Sequence, residues 1–288
     1  MHPAQRAPSF LRRHSLIRLL VKFGLLGNPT LAYFNKGSKA FVNLLDPEPR
    51  NVFLKRQFEP DFFEISNAFL KKKSIFFDLG ANHGLCSFGL IPDRPKSDFH
   101  LFEANSGLAE IIKKSIAIHQ DATVKLSCAC VTDKPGSSRF FLEKSQTGQS
   151  HIAAGSETGD MVPNLILDQY CDDQKVKEVD FAKIDLEGHE LSALKGWQNF
   201  LSSHKTKAIY VEIMPENQVR YGLPTNSPLI FLEQLGYRLF LCKKEDFGKF
   251  GELPVEKNTG IKNITLSFFK AEDFPQDFST DVLALAPD

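Results

Sequence analysis

The segment 75–84 constrains this chain most, because an apolar run there leads directly into an acid and a glycine-spaced turn. Such a run predicts a buried parallel strand followed by a binding loop of the nucleotide type. The turn reads D-x-G-x-x-x-G and contains Asp78, Gly80 and Gly84. Asn82 stands where the dinucleotide fingerprint has the glycine that lets the backbone approach a pyrophosphate. The strand-end carboxylate of Asp78 instead favours a positively charged ligand, such as S-adenosylmethionine with its sulfonium and ammonium groups.

A second acid ends the next predicted strand, which covers residues 98–104. Rossmann-like sheets use an acid about 20 residues beyond the glycine turn to accept hydrogen bonds from ribose hydroxyls. Glu103 falls in that window, and we expect it to bind ribose. The alternative is that Glu103 only caps the helix that begins near Ser106.

The fourth predicted strand ends in a crowded acidic turn that contains Asp185, Glu187, His189 and Glu190. Like charges so close together destabilise a turn unless a ligand, a metal or another cation compensates them. We therefore expect Asp185 and Glu187 to be functional, although a helix-capping role for Asp185 stays open. Glu190 is expected to complement the helix dipole, and Lys183 to pair with a neighbouring carboxylate.

Strands and helices alternate from residue 74 onward, which predicts an α/β fold with a mostly parallel sheet and helices on both faces. Two final strands, at 237–242 and 263–269, have no helix between them and predict one antiparallel strand. The Gly-, Ser- and Thr-rich segment 146–159 is predicted to be a mobile loop over the site.

We divide the chain into four segments on this pattern. Residues 1–45 form a basic amphipathic extension, and residues 46–73 form a lead-in segment that packs on the core. Residues 74–270 form the catalytic domain, and residues 271–288 form an acidic tail.

Formal charge is balanced overall but not along the chain. The first 73 residues hold 13 Lys and Arg against 5 Asp and Glu, whereas the remainder holds 22 against 30. A polyanion-binding enzyme would more often carry its basic patch on the catalytic body, so we do not expect a nucleic-acid substrate. Five cysteines without a C-x-x-C pair favour reduced thiols and a cytoplasmic location.

The first 45 residues contain no acid, and apolar residues at helical spacing alternate there with Arg and Lys. Arg18 and Lys22 interrupt what would be a signal-peptide core, so secretion is not expected. The segment is predicted to dock on the domain or on a second subunit. A peripheral contact with an anionic membrane and organellar targeting are the alternatives. No run approaches the roughly 20 apolar residues of a transmembrane helix.

Four motifs together resemble the FkbM family of S-adenosylmethionine-dependent methyltransferases: F-F-D-L-G-A-N-H-G, L-F-E-A, K-I-D-L-E-G-H-E-L-S-A-L-K-G and Y-V-E-I. The likeness runs from about residue 58, at Phe-Glu-Pro, to about residue 237. Its most specific block is 183–196. His83 is interpreted as a loop residue and not as a catalyst.

The resemblance implies a Rossmann-like class I methyltransferase fold, with a seven-stranded sheet that includes one antiparallel strand. It also implies O-methylation of a hydroxyl on a sugar, a glycan or glycolipid, or a secondary metabolite. By position, it implies that the methionine moiety of S-adenosylmethionine is surrounded by Asp78, Gly80, Asn82 and Gly84. Glu103 would then contact the ribose, and Asp185 would face the methyl group and the acceptor.

Such a transfer depends mainly on positioning, which contributes roughly 7–11 kcal/mol, while a general base contributes about 10²–10⁴-fold. Asp185 and His189 are the candidate bases, and Glu187 is expected to bind the acceptor. We expect no metal; the alternative is magnesium held by Asp185, Glu187 and Glu212.

The rival functions are a nucleic-acid methyltransferase of the rRNA type, a non-catalytic Rossmann-like binding module, and an NAD-dependent reductase. An N-P-P-Y type turn, typical of amino-methylating enzymes, is replaced here by D-L-E-G. Asn82 in the glycine turn also disfavours the reductase.

Overall fold

The computed structural model describes residues 13–287. Residues 1–12 of the predicted basic extension lie outside them. The described part of the predicted extension and lead-in segment forms α1 His14–Lys22, β1 Thr30–Phe34, β2 Ser38–Val42, α2 Pro47–Lys55 and α3 Pro60–Phe69. The strands β1 and β2 pair as an antiparallel hairpin. No helix among residues 13–287 has the length and apolar run needed to cross a bilayer.

Alternating strands and helices follow, as the sequence predicts. The strands are β3 Ile75–Leu79, β4 Asp98–Phe102, β5 Thr123–Ser127, β6 Cys130–Val131, β7 Ser137–Phe141, β8 His151–Ile152, β9 Asp160–Leu165, β10 Phe181–Ile184, β11 Ala208–Ile213, β12 Arg238–Leu241, β13 Val255–Asn258, β14 Asn263–Phe269 and β15 Thr280–Leu285. The helices are α4 Leu85–Leu90, α5 Ser106–Ala117, α6 Leu167–Asp173, α7 Glu190–Lys195, α8 Gln198–Ser202, α9 Pro215–Arg220 and α10 Ser227–Gln234.

The main sheet is larger than the predicted seven strands. In the described part of the chain, nine strands join in the order β13-β14-β12-β15-β11-β10-β3-β4-β5. The five strands from β5 to β11 are parallel neighbours. Two strands run against them, β15 and β14, so the expectation of a single antiparallel strand is corrected as well.

The predicted acidic tail is not a tail, because its residues 280–285 form β15 between β11 and β12. Val282, Leu283 and Ala284 are fully buried there. An apolar strand with partners on both sides buries its side chains and satisfies its backbone hydrogen bonds, which explains why the chain returns into the sheet. The main sheet therefore extends beyond residue 270.

The parallel strands are covered on both faces, as predicted. Alternate residues of one strand point to opposite sides, and Phe76 and Phe77 accordingly belong to two different apolar clusters. The cluster around Phe76 includes residues from α1 to α5, such as Ile17 and Phe62. The cluster around Phe77 includes residues from α6, α7, α8 and α10, such as Leu194.

The segment 123–132 divides into β5 of the main sheet and β6 of a second sheet. That second sheet has the order β6-β9-β7-β8. The predicted mobile loop 146–159 contributes β8 to it and a 3-10 turn at Thr147–Gln149. Thr147 donates backbone and side-chain hydrogen bonds to Asp46, which fixes the turn against the start of α2.

Candidate active site

A cavity of about 460 Å³ opens at the carboxyl edge of the parallel strands, in the size range of small-molecule sites. Residues at or directly after the ends of β3, β4, β10 and β11 contribute to its wall, because the ends of parallel strands meet at one edge of a sheet. Its wall contains seven acids: Asp46, Glu48, Glu59, Glu103, Asp185, Glu187 and Glu212. Among the described residues that line it, none is Lys or Arg.

Gly80 begins the turn after β3 in a left-handed conformation, with φ of +79°. A Cβ atom at this position would overlap the backbone carbonyl of Asp185. Only glycine therefore fits here, since it tolerates the positive φ and leaves room for the end of β10. The glycine turn and the acidic turn, which are far apart in the sequence, meet at this contact.

Asn82 and Glu103 connect the first two strand ends. The backbone N–H groups of Asn82 and Asn105 each donate to the Glu103 carboxylate at 2.7 Å. Burial raises the pKa of Glu103 to about 7, because its effect is larger than that of these two hydrogen bonds, which lower the pKa. The helix after β4 is capped by Asn105, whose side chain accepts from Gly107 N at 2.9 Å. Capping therefore falls to Asn105, and Glu103 remains available in the cavity wall.

Asp78 and Gly84, both expected around the methionine moiety, do not line this cavity. Asp78 lies behind the turn, buried, and accepts a hydrogen bond from Ser87 Oγ at 2.5 Å. Burial raises the pKa of Asp78. Gly84 begins α4 with φ of +71°, and a Cβ there would press on the ring of Phe88. Asp78 and Lys183 instead line an adjoining cavity of about 40 Å³, which shares Gly80, Asn82 and Asp185 with the first.

Lys183 pairs with a carboxylate, as expected, since its Nζ lies 2.7 Å from Asp185 Oδ2 and both side chains are shielded from solvent. Burial alone would raise the pKa of Asp185, but the charge and hydrogen bond of Lys183 and a hydrogen bond from Glu212 hold it below its usual value. The charge of Asp185, together with burial, raises the pKa of Glu212 well above its usual value. A hydrogen bond joins the two carboxyl groups, and Glu212 therefore releases its proton at higher pH than Asp185 does.

The residues Glu187 and Glu190 of the acidic turn differ in role. Glu187 has a positive φ of +54°, lines the cavity, and accepts a hydrogen bond from Asn217 Nδ2 at 2.8 Å. Burial and the charge of Asp185 raise the pKa of Glu187 to about 8. Glu190 is buried and accepts from the N–H groups of Leu186 and Gly188 at 2.9 and 3.0 Å. Glu190 thus stabilises the turn, as expected for a helix-start acid.

His189 lines the cavity beside Glu187. Its Nε2 lies 3.3 Å from Thr132 Oγ1, and its ring packs edge-on against Tyr221 at 5.4 Å between centroids. Burial lowers the pKa of His189 to about 4, so its imidazole is neutral at pH 7. His83, interpreted as a loop residue, is buried, and its pKa is lowered to about 3 by burial.

Three acids of the cavity lie outside the residues selected from sequence: Asp46, Glu48 and Glu59. The Glu48 side chain is exposed toward the cavity and surrounded by protein on its other sides. Burial, and to a smaller extent the charge of Asp185, raises its pKa. Burial raises the pKa of Glu59 to about 7. The sequence contains a signal for two of these acids. Asp46 is the first acid after 45 residues without one, and Glu59 lies in the Phe-Glu-Pro stretch.

The same wall could hold a divalent cation. Oxygen atoms of Asp185, Glu187 and Glu212 all lie within 4.8 Å of one another, and magnesium prefers such ligands. Lys183 already compensates part of the charge there. The geometry therefore accommodates a cation but does not require one.

The family model described as methyltransferase FkbM domain matches residues 78–239, which is over half of the chain. A search of the curated proteins finds no match. Two solved structures illustrate the structural likeness. Precorrin-6y C5,15-methyltransferase from Geobacter metallireducens GS-15 is 13% identical, with a TM-score of 0.42 over 80% of this chain and 89% of that one. A SAM-dependent O-methyltransferase from Thermotoga maritima is 12% identical, with a TM-score of 0.41 over 93% and 81%.

Proposed function

This chain belongs to the FkbM methyltransferase family and is a methyltransferase, and on that premise we propose that it transfers a methyl group from S-adenosylmethionine to a hydroxyl group. The acceptor class is a sugar, a glycan or glycolipid, or a secondary metabolite. The observation that supports this proposal most directly is the acid-lined cavity at the ends of β3, β4, β10 and β11.

The charge of the cavity suits a cationic methyl donor. S-adenosylmethionine carries a sulfonium and an ammonium group, and opposite charges close together in a partly buried site attract strongly. Glu103 already accepts two backbone hydrogen bonds and has lone pairs left for ribose hydroxyls. Gly80 and Asn82 form the adjacent wall. We therefore assign the donor to this side of the cavity.

The acceptor side is assigned to the acidic turn. When bound, the donor supplies a methyl group already activated by its sulfonium. As the acceptor oxygen forms its bond to the methyl carbon, the carbon–sulfur bond breaks and its electron pair stays on sulfur. The hydroxyl proton must leave at the same time, and a carboxylate with a pKa near the working pH is best suited to take it.

Glu187 fits that role better than Asp185, the candidate from sequence. Lys183 Nζ lies 2.7 Å from Asp185 and, with a hydrogen bond from Glu212, keeps the pKa of Asp185 below its usual value, so Asp185 is a weak base. Glu187 lines the cavity, is oriented by Asn217, and has a pKa of about 8. His189, neutral at pH 7, is the second candidate. Asp185 is then assigned to charge compensation near the sulfonium.

Donor binding is tested by titration calorimetry with S-adenosylmethionine and S-adenosylhomocysteine. We expect heat with both, and Glu103→Gln should weaken binding at least tenfold because a hydrogen bond to a charged acceptor is worth about 1.5–3 kcal/mol. The matched control is Glu110→Gln, an exposed acid on α5 that should bind like wild type. Absence of heat with either ligand, from folded protein, would overturn the proposal.

The acceptor is tested by transfer of a radiolabelled methyl group to a panel of glycans, glycolipids and hydroxylated small molecules, with RNA as a separate arm. Label in a base-stable ether on a glycan or small molecule supports the assignment. Label confined to RNA would make this a nucleic-acid methyltransferase. Donor binding without transfer to any arm would favour a binding module.

A further inference from the structure

An exposed apolar surface lies at the end of α1. Leu19 and Phe23 are four residues apart and are therefore neighbours on one side of the helix. Leu19 is 50% exposed, Phe23 is 72% exposed, and Leu25 in the following turn is 76% exposed. A basic row runs beside them, formed by Arg18 and Lys22, which are also four residues apart and exposed. We call these five residues the α1 patch.

The opposite side of α1 is firmly attached, so the patch has a fixed orientation. Ile17 is buried in the apolar cluster of the main domain, and Leu20 and Val21 pack against that cluster. At the start of the helix, Arg50 Nε donates to His14 Nδ1 at 3.2 Å. Docking on the domain therefore accounts for one face of α1 and leaves the α1 patch facing away from it.

The positive charge of the patch is not paired in a salt bridge among the described residues. Within residues 13–287, no salt bridge involves Arg18, Lys22 or Arg13. The first 45 residues contain no Asp or Glu at all. Like charges four residues apart on a helix repel each other. An anionic surface beside them would remove this repulsion.

We propose that the α1 patch docks on the surface of an anionic lipid bilayer. Apolar residues flanked by basic ones match the two parts of a membrane interface, where the former enter the acyl boundary and the latter contact lipid phosphates. Phe23 and Leu25 project at the helix end on either side of Gly24, around which there is open space. The proposal is independent of the reaction at the cavity.

The test is co-sedimentation of the full chain with vesicles of phosphatidylcholine alone or mixed with phosphatidylglycerol. We expect binding only to the mixed vesicles, weakening as salt is added. Arg18→Ser/Lys22→Ser should lower the partition coefficient about fivefold per residue removed, from about 1 kcal/mol per basic residue. Leu19→Ser/Phe23→Ser should lower it at least about tenfold.

Two control variants change the same residue types elsewhere. Lys72→Ser/Lys73→Ser removes two exposed charges that precede β3, at the opposite edge of the sheet from the cavity. Leu253→Ser removes a leucine that is 84% exposed. Both should bind vesicles like wild type, and circular dichroism should show that all variants are folded.

Equal binding to both kinds of vesicle, or none, would overturn the proposal. So would unchanged binding by both patch variants. Sedimentation velocity without lipid decides the remaining case: if the wild type self-associates, the patch variants do not, and none sediments with vesicles, the patch is an interface between copies of this chain.

Discussion

The α-carbon of Gly80 packs directly against the backbone carbonyl of Asp185, with no room for a side chain between them. This contact joins the donor side of the cavity to the acidic turn. Gly80→Ala should lower the free energy of unfolding and weaken donor binding at least tenfold, because both the clash and the positive φ are unfavourable. Urea denaturation and calorimetry measure the two effects.

Gly136→Ala is the matched control for that variant. Gly136 has φ of +97°, but a Cβ there meets nothing within 4 Å. It should show only the cost of the positive φ, about 1 kcal/mol, and bind the donor normally. Equal effects of the two substitutions would contradict a special role for the contact with Asp185.

Lys183 is expected to be essential for stability. Lys183→Met leaves Asp185 and its neighbouring buried acids without their cation, which should cost about 3–5 kcal/mol of unfolding free energy at neutral pH. The deficit should shrink at lower pH, as those acids take up protons. Lys207→Met is the control, since Lys207 is half exposed and its two salt bridges should contribute under about 1 kcal/mol each. A loss no larger than that of the control would show that Lys183 does not neutralise the site.

Activity should depend on the ionisation of Glu187. Because a protonated carboxyl cannot accept the hydroxyl proton, kcat/KM should rise with pH and level off above about 8. Glu187→Gln should lower kcat/KM by about 10²–10⁴-fold and remove the rise. Glu216→Gln, an exposed acid on α9, should leave both unchanged. If Glu187→Gln stays within about tenfold of wild type, Glu187 is not the base.

Chelation tests the cation site formed by Asp185, Glu187 and Glu212. Since Lys183 already compensates part of the charge of these acids, we expect methyl transfer to change less than about twofold after exhaustive treatment with EDTA. Activity is compared before chelation, after it, and after addition of magnesium. A loss above about tenfold that magnesium restores would place a functional cation among the three carboxylates.

The buried acids should also make the protein less stable at high pH. Burial raises the pKa values of Glu59 and Glu103 to about 7 and that of Glu187 to about 8, from 4.5. The folded state therefore binds more protons than the unfolded state across this window, so stability falls as pH rises. Buried His83, His100, His119 and His189, with lowered pKa values, act in the opposite direction up to about one pH unit above their ordinary value of 6.5, because the unfolded state still protonates them there.

Above pH 6.5 the effect of the acids is larger than that of the histidines, because each histidine is at most half protonated in the unfolded state. From pH 6.5 to 8 we expect the free energy of unfolding to fall by an amount on the order of 1–3 kcal/mol. Urea denaturation at the two values measures the change, and Glu187→Gln should reduce it. Stability that is constant or rising over this interval would show that the acids are ionised in the folded protein.

The amino-acid sequence by itself determined the central strands and their acidic ends, because these are local patterns. A continuous apolar run predicts a strand buried on both faces, and the predicted strands ending in Asp78, Glu103 and Asp185 correspond to β3, β4 and β10. The pairing of Lys183 with a carboxylate was also predicted, since a lysine within such a strand must be neutralised.

Only the tertiary structure decided which acids share the cavity. Asp46, Glu48 and Glu59 reach it because α2 and the residues before α3 fold over the carboxyl edge of the sheet. Asp78, by contrast, turns behind the glycine loop toward Ser87. Side-chain direction at a strand end depends on the packing of distant elements, which no local pattern contains.

The insertion of β15 shows the same limit for the fold. Residues 280–285 pair with β11 and β12, strands that lie many residues earlier in the chain. Local spacing reveals that such a segment can be a strand, but its partners are selected by which sheet edge is available when the rest has packed. The sequence therefore determines the elements and their chemical groups, and long-range packing determines which groups meet.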